Sequence, residues 1–223
     1  MSPGDPYFDW DWTVRHLDDI WVQLYNHLYL TALAVGIGFL ISLPLAVLVV
    51  RRRRLYAPVV SAAGILYTIP SLALFALLVP IEGFGFSVLT AEVGLVSYTL
   101  LILVRNIAAG LDSVADDVRE AAVGMGHSPA QLLLKVELPL ALPVIVAGLR
   151  VATVTTIGLV TVTSLIGMQN LGQLILDGIN RLFNTPLVIG AVLSIALAVA
   201  ADLALLGLQR VIAPWTGARG RAS

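Results

Sequence analysis

Residues 28–54 read LYLTALAVGIGFLISLPLAVLVVRRRR. Leu28 to Val50 is an uncharged run of twenty-three residues. As a helix it reaches about 34 Å, enough for the roughly 30 Å hydrocarbon core of a bilayer. Four arginines follow at once. Basic residues beside a span are retained on the cytoplasmic face, so this stretch predicts a crossing and its direction, with the N-terminus outside. Composition agrees: the 223 residues are 58% hydrophobic and 12% charged, where a soluble domain is about 25% charged. The spans leave no room for a separate soluble domain of about 100 residues. A net charge of −1 gives no reason to expect nucleic acid. The absence of cysteine excludes disulfide frameworks and thiolate metal sites.

Working outward, Leu55 to Ile81 is uncharged but interrupted by Pro70, which predicts a kinked span at 57–80. A third span, 87–105, has a charge-free stretch only from Val93 to Val104; it is accepted because an even number of crossings would break the charge arrangement. A fourth, 143–166, opens at Pro143 and carries Arg150, and a fifth covers 186–208. Five crossings place the C-terminus inside, in accord with Arg210, Arg219 and Arg221. The expected organisation is an outer-face amphipathic segment (1–26), one transmembrane domain (27–210) and a cytoplasmic basic tail (211–223). The first 26 residues hold five aspartates and one arginine, so no cleavable signal peptide is expected. Trp10, Trp12, Trp21 and Tyr25 read as an aromatic belt. The pairs Ala32/Gly36, Ala34/Gly38, Gly148/Ala152 and Gly190/Ser194 put small residues one turn apart and read as ordinary helix packing.

The internal loop, 111–139, is patterned. Ser113 ahead of Asp116 and Asp117 reads as the cap of a helix whose Val114, Val118, Ala121, Ala122 and Met125 share a face. Gly126 ends it in a left-handed turn. Ser128-Pro129-Ala130-Gln131 then opens a second helix with a capping box, which Pro139 and Pro143 are expected to end. The residues leave two readings open, an inert surface hairpin and a docking site for a cytoplasmic partner.

Glu120-Ala121-Ala122, three residues, Gly126, nine residues, Val136, one residue and Leu138-Pro139 resemble the EAA loop of ABC-importer permeases, with valine in place of isoleucine. The chain is further similar to osmoprotectant permeases serving glycine betaine, carnitine and choline. That likeness rests on Tyr67 to Phe75 (YTIPSLALF), Val104-Arg105-Asn106, Ala147 to Arg150 (AGLR) and Leu171 to Ile175 (LGQLI) with Gly178. Gly167-Met168-Gln169-Asn170 departs from that family's Gly-rich turn, and Ile102 from its proline.

The resemblance implies an all-α membrane protein of the type I ABC-importer permease kind, with five transmembrane helices and a cytoplasmic helix-turn-helix coupling loop. It implies a place in the bacterial cytoplasmic membrane, a second permease copy or paralogue, two ATP-binding subunits and an extracytoplasmic substrate-binding protein. Glu120, Ala121, Ala122, Gly126, His127, Ser128, Leu138 and Pro139 would form the ATPase-coupling surface. ATP and magnesium would bind the partner ATPase, with no cofactor on this chain. The alternatives are an importer permease for another small solute such as an amino acid, and a membrane scaffold or channel without a motor.

No catalytic residue is expected. The single lysine, Lys135, lacks the glycines of a phosphate loop, and His16, His27 and His127 lack metal-ligand spacing. Tyr67, Thr68, Pro70, Ser71 and Tyr98, polar, aromatic or helix-breaking residues in apolar spans, are candidates for a translocation path; interhelical hydrogen bonding is the competing reading. Arg150 joins them as a candidate gate ion pair, with Asp202 a possible partner. About 10 Å inside a helix starting at Pro143, it reads first as a snorkelling residue at the inner boundary.

Overall fold

In lipid a backbone satisfies its own hydrogen bonds only as a helix or a closed barrel. The computed structural model describes residues 7–214, and every regular element among them is helical. Arg219 and Arg221 lie outside the described residues. The helices are α1 (Trp10–Arg15), α2 (Leu17–Arg51), α3 (Tyr56–Thr68), α4 (Ser71–Leu78), α5 (Val88–Asp112), α6 (Asp116–Gly124), α7 (Pro129–Leu132), α8 (Leu138–Val162), α9 (Leu171–Arg181) and α10 (Asn184–Ile212). Four segments are long and apolar enough to span a bilayer: Leu17–Arg51, Val88–Asp112, Pro129–Ile166 and Asn184–Ile212.

A fifth passage follows from the packing. Leu30 and Ala34 of α2 share a cluster with Ala91 and Leu95 of α5. Ala46 and Val49 share another with Leu103, Ile107 and Leu111. Helices α2 and α5 therefore run parallel, and α3 with α4 must carry the chain from the arginine-rich end of α2 back to the opposite end. Helix α8 returns antiparallel, with Ala141 and Ile145 in the cluster at the basic end and Val160 in the other. Helix α10 descends again, from Ile189 beside Ile20 to Gln209, whose Nε2 donates to the Pro143 carbonyl at 3.4 Å.

The expected boundaries shift wherever a helix breaker is absent or stronger than it looked. No glycine or proline stands between Trp10 and Gly36, so the helix that carries the first span starts at Leu17 and runs through much of the proposed N-terminal segment. Trp10, Trp21 and Tyr25 are exposed. Trp12 is half-buried: it stacks on His16 at 4.1 Å and meets Phe183 edge-on at 5.6 Å. Pro70 does more than kink the second span. It forces Ile69 out of helical geometry (ψ 126°), and the two halves meet at 92°. The third span runs on past Arg105 to Asp112.

The helical run that carries the fourth begins far earlier than Pro143, because Pro129–Ile166 is one continuous run of 38 residues. Pro139 falls in the first turn of α8, immediately after the π-helical turn Leu133–Glu137 that opens the helix ahead of it. Pro143 then forgoes one backbone hydrogen bond without ending the helix.

Small residues carry the closest approaches. A Cβ on Gly38 would stand 2.0 Å from Thr99 Oγ1, one on Gly148 2.3 Å from Asn106 Cβ and one on Gly190 2.7 Å from the Leu171 carbonyl. Gly36 has nothing within 4 Å. At Gly172 the obstacle, 2.1 Å away, is the Thr161 carbonyl oxygen, a backbone atom that cannot rotate aside. Gly172→Ala should therefore destabilise the fold by about 1 to 3 kcal/mol, whereas Gly36→Ala should be neutral. Thermal unfolding of the detergent-solubilised variants checks both.

Candidate functional site

The loop between α5 and α8 is built as a hairpin, with one departure from the expected capping. Ser113 closes α5, its Oγ donating to the Gly110 carbonyl at 2.7 Å, and α6 starts after Ala115 without a side-chain cap. Gly126 adopts φ +84°, the left-handed conformation that only glycine takes freely. The turn lets the His127 N–H donate to the Ala122 carbonyl at 3.2 Å, with the ring Nδ1 3.1 Å from the same oxygen. Ser128 Oγ accepts from the Gln131 N–H (3.3 Å) while Gln131 Oε1 accepts from the Ser128 N–H (2.9 Å). The capping box is in place.

The inward face of α6 is narrower than its periodicity suggests. Ala122 is its one buried residue, and Val114, just before the helix, is buried too. Val118, Ala121 and Met125, grouped with them by spacing, are exposed. Met125 is 73% exposed and Val123 57%. With Glu120 also exposed, they give the loop a surface that is apolar at its centre and acidic beside it. Leu138 and Pro139 are half-buried at the foot of α8.

What fixes the loop was not among the expected residues. Glu137 is buried, its side chain 3% exposed, and two arginines meet it. Arg51, at the end of α2, donates to Oε2 at 2.5 Å; Arg119 of α6 donates from Nε to Oε1 at 3.0 Å. Arg119 also reaches Asp116 at 2.8 Å and the Leu111 carbonyl at 2.6 Å. Burial works against its charge, but the hydrogen bonds and charges of Asp116 and Glu137 outweigh that and raise its pKa further. Beside them Arg53 forms a two-pronged bond with Asp112, at 2.8 and 2.7 Å. Part of the arginine run thus holds the loop. An acid placed mid-run in the apolar LLLKVELPLALP was the available signal, since a lone carboxylate there needs a cationic partner.

Around the α3–α4 break the Tyr98 hydroxyl donates to the Ile69 carbonyl, freed where Pro70 interrupts the helix. The Tyr67 ring meets Tyr98 edge-on at 5.7 Å. Thr68 is satisfied locally by the Ile65 carbonyl at 2.7 Å; Pro70 is exposed and Ser71 half-buried. Tyr67 lines a cleft of about 530 Å³ with Tyr56, Arg105, Asn106 and Val151.

Arg150 is turned away to α10, where Asp202 accepts both its Nε and Nη2 at 2.8 Å. It stands thirteen residues beyond Glu137, roughly 20 Å along the helix. Its charge is therefore matched by Asp202, a partner on the neighbouring helix.

The family described as binding-protein-dependent transport system inner membrane component matches residues 34–216. The chain belongs to that family. The permease is 44% identical over 193 residues to the osmoprotectant import permease protein OsmW of Salmonella typhimurium, covering 85% of this chain and 90% of the relative. It is 35% identical to the glycine betaine/carnitine/choline transport system permease protein OpuCD of Bacillus subtilis, covering 86% and 83%. Among solved structures it is similar to an inward-facing conformation of the MetNI methionine ABC transporter, with TM-score 0.80, 25% identity and coverage of 89% and 98%. The permease is thus an inner-membrane transport subunit with the fold of type I ABC importers.

The two ion pairs differ in burial, so they should differ in weight. Arg119→Met takes from the buried Glu137 one of its two cations, leaving Oε1 without its partner, and should cost about 1.5 to 3 kcal/mol, whereas Arg53→Met breaks a largely exposed pair worth about 1 kcal/mol or less. Thermal unfolding midpoints of the purified permease, compared between the two variants, check the ranking.

Proposed function

We propose that the permease is the membrane subunit of an ATP-driven, binding-protein-dependent importer of quaternary-amine osmoprotectants. The observation that carries the substrate class is the run of relatives at 34 to 44% identity whose names specify osmoprotectants, glycine betaine, carnitine or choline. A quaternary amine keeps its charge at any pH and needs a path whose polarity comes from protein. The methionine transporter of similar fold supports an amino-acid cargo as the second reading.

In this reading the arginine-rich end faces the cytoplasm, the N-terminus lies outside and the C-terminus inside. Two ATPases bind below, a second permease copy or paralogue completes the pore, and a substrate-binding protein docks above. The hairpin around Gly126 is the coupling surface. Glu120 offers a charge, Val123 and Met125 offer apolar contact, and Ala122, His127 and Ser128 set the turn. Leu138 and Pro139 join that surface to α8. ATP-driven approach of the two ATPases moves the hairpins, and with them the spans. ATP and magnesium stay on the partner. Tyr67, Thr68, Pro70, Ser71 and Tyr98 form the wall of the path at the α3–α4 break, and Arg150 with Asp202 ties α8 to α10 beside it.

ATP-dependent uptake of labelled glycine betaine into liposomes holding the permease with its ATPase, partner permease and binding protein tests the reading. Competition by carnitine or choline is the expected outcome, and competition by methionine alone would transfer the assignment to amino acids. Gly126→Val puts a β-branched residue in the left-handed region and should leave the chain inserted while reducing ATP-driven uptake at least tenfold; uptake at the normal rate would remove the hairpin from the coupling role.

A further inference from the structure

Two ionisable side chains are sealed inside the bundle. Glu92 of α5 is 6% exposed, and His27 of α2 is fully buried. Neither enters an ion pair among the described residues. Both carboxyl oxygens of Glu92 and the Nδ1 of His27 are buried with no hydrogen-bond partner there. A carboxyl group in a span is stable beside a cation or as the neutral acid, because apolar surroundings do not solvate a lone charge.

Packing brings the two residues to one interface. Gly38 of α2 abuts Thr99 of α5, and Leu30 and Ala34 share a cluster with Ala91 and Leu95. The two helices run parallel, so seven residues back along each sets Glu92 level with Thr31; His27 stands one turn, about 6 Å, further from the arginine-rich end. Glu92 lies two turns from Thr99 and His27 three turns from Gly38, on the faces that the helices turn to each other. Helical side chains lean toward the N-terminus, which aims the Glu92 carboxyl toward the level of the imidazole. On its other side the His27 Nε2 lies 3.0 Å from the Ile157 carbonyl of α8. A carbonyl only accepts, so Nε2 carries the hydrogen and Nδ1 is left a bare acceptor. An acid in need of a proton thus stands by an acceptor in need of a donor.

No other charge competes for that place. The facing stretches 151–162 of α8 and Ser71–Leu78 of α4 contain no titratable residue. Tyr67 of α3 meets Tyr98, whose hydroxyl is given to Ile69. Asp18, Asp19 and Glu82 are exposed beyond the site.

We propose that Glu92 and His27 form a proton-binding site that fastens α2, α5 and α8 at the end of the bundle remote from the arginines. A turn of the Glu92 side chain lets the neutral acid donate its O–H to Nδ1, while Nε2–H holds Ile157. Loss of that proton to water leaves a carboxylate in an apolar interface, which is relieved only when α2 and α5 part and water enters. The fastening holds at neutral pH and releases at alkaline pH. In the topology proposed above this is the outer end; the chemistry of the site does not depend on that reading.

Infrared spectroscopy of the purified permease–ATPase complex in nanodiscs, scanned with pH, reads the proton directly. At neutral pH the wild type should show a carboxylic-acid C=O band that is absent from Glu92→Gln. His27→Leu should shift that band, and His27→Gln, which can still donate to Ile157 and accept from Glu92, should restore its position. Hydrogen exchange supplies the second readout. At alkaline pH the first turns of α5 should exchange roughly tenfold faster in the wild type than in Glu92→Gln at the same pH, while at neutral pH the two should match. Absence of the acid band at neutral pH, an identical band in His27→Leu, or equal exchange of wild type and Glu92→Gln at alkaline pH would overturn the site. Should the variants fail to fold, loss of the wild-type band without any rise in α5 exchange would do the same. A wrong functional reading would show separately, as an assembly that takes up no quaternary amine while both spectroscopic results stand.

Discussion

A buried carboxylate holds the Gly126 hairpin to the helix bundle. Glu137 has almost no contact with water, and a charge in that position is tolerable only while cations stay against it. Arg51 supplies one from the end of α2 and Arg119 the other from α6. The hairpin, the first span and the fourth therefore converge on one side chain. Because α7, the π turn and α8 form a single helical run, force applied at the hairpin in its proposed coupling role would be delivered to the far end of the fourth span. Without the carboxylate the hairpin would be joined to the bundle chiefly through its connecting chain.

The upper part of the bundle is arranged around a different constraint. Pro70 breaks the second passage into two helices at 92°, which leaves backbone carbonyls in an apolar setting. The Tyr98 hydroxyl satisfies one of them. The break thus holds Tyr67 beside the cleft where Arg105 lies, while the Arg150–Asp202 pair keeps the neighbouring charge of α8 occupied with α10.

Periodicity and charge made the membrane class, the five passages and the Gly126 hairpin readable before any coordinates, because long apolar runs and arginine clusters have few alternative solutions. The capping box at Ser128 was equally legible, being set by four adjacent residues. Boundaries were not. A proline reads as a helix end, yet at Pro139 a preceding π turn and a first-turn position remove the conflict, and nothing local in the sequence announces that. The inward face of α6 was overestimated for a related reason: a nine-residue helix that presents a docking surface shows the same spacing of apolar residues as one that buries them. The Glu137 network joins residues 51, 119 and 137 across three elements, a pairing no local pattern encodes.

The central claim is that the hairpin and the fourth span move as one body. The chain contains no cysteine, so spin labels can be placed cleanly at Asp117 on α6 and at Leu165 beyond the far end of α8, both exposed. Their separation should be measured by pulsed electron paramagnetic resonance in the assembled transporter, without nucleotide and with ATP trapped. The account predicts one unchanged, narrow distance distribution in both states. A distribution that shifts by several ångströms when ATP is trapped would contradict it, because the hairpin would then be moving independently of the helix it is supposed to drive.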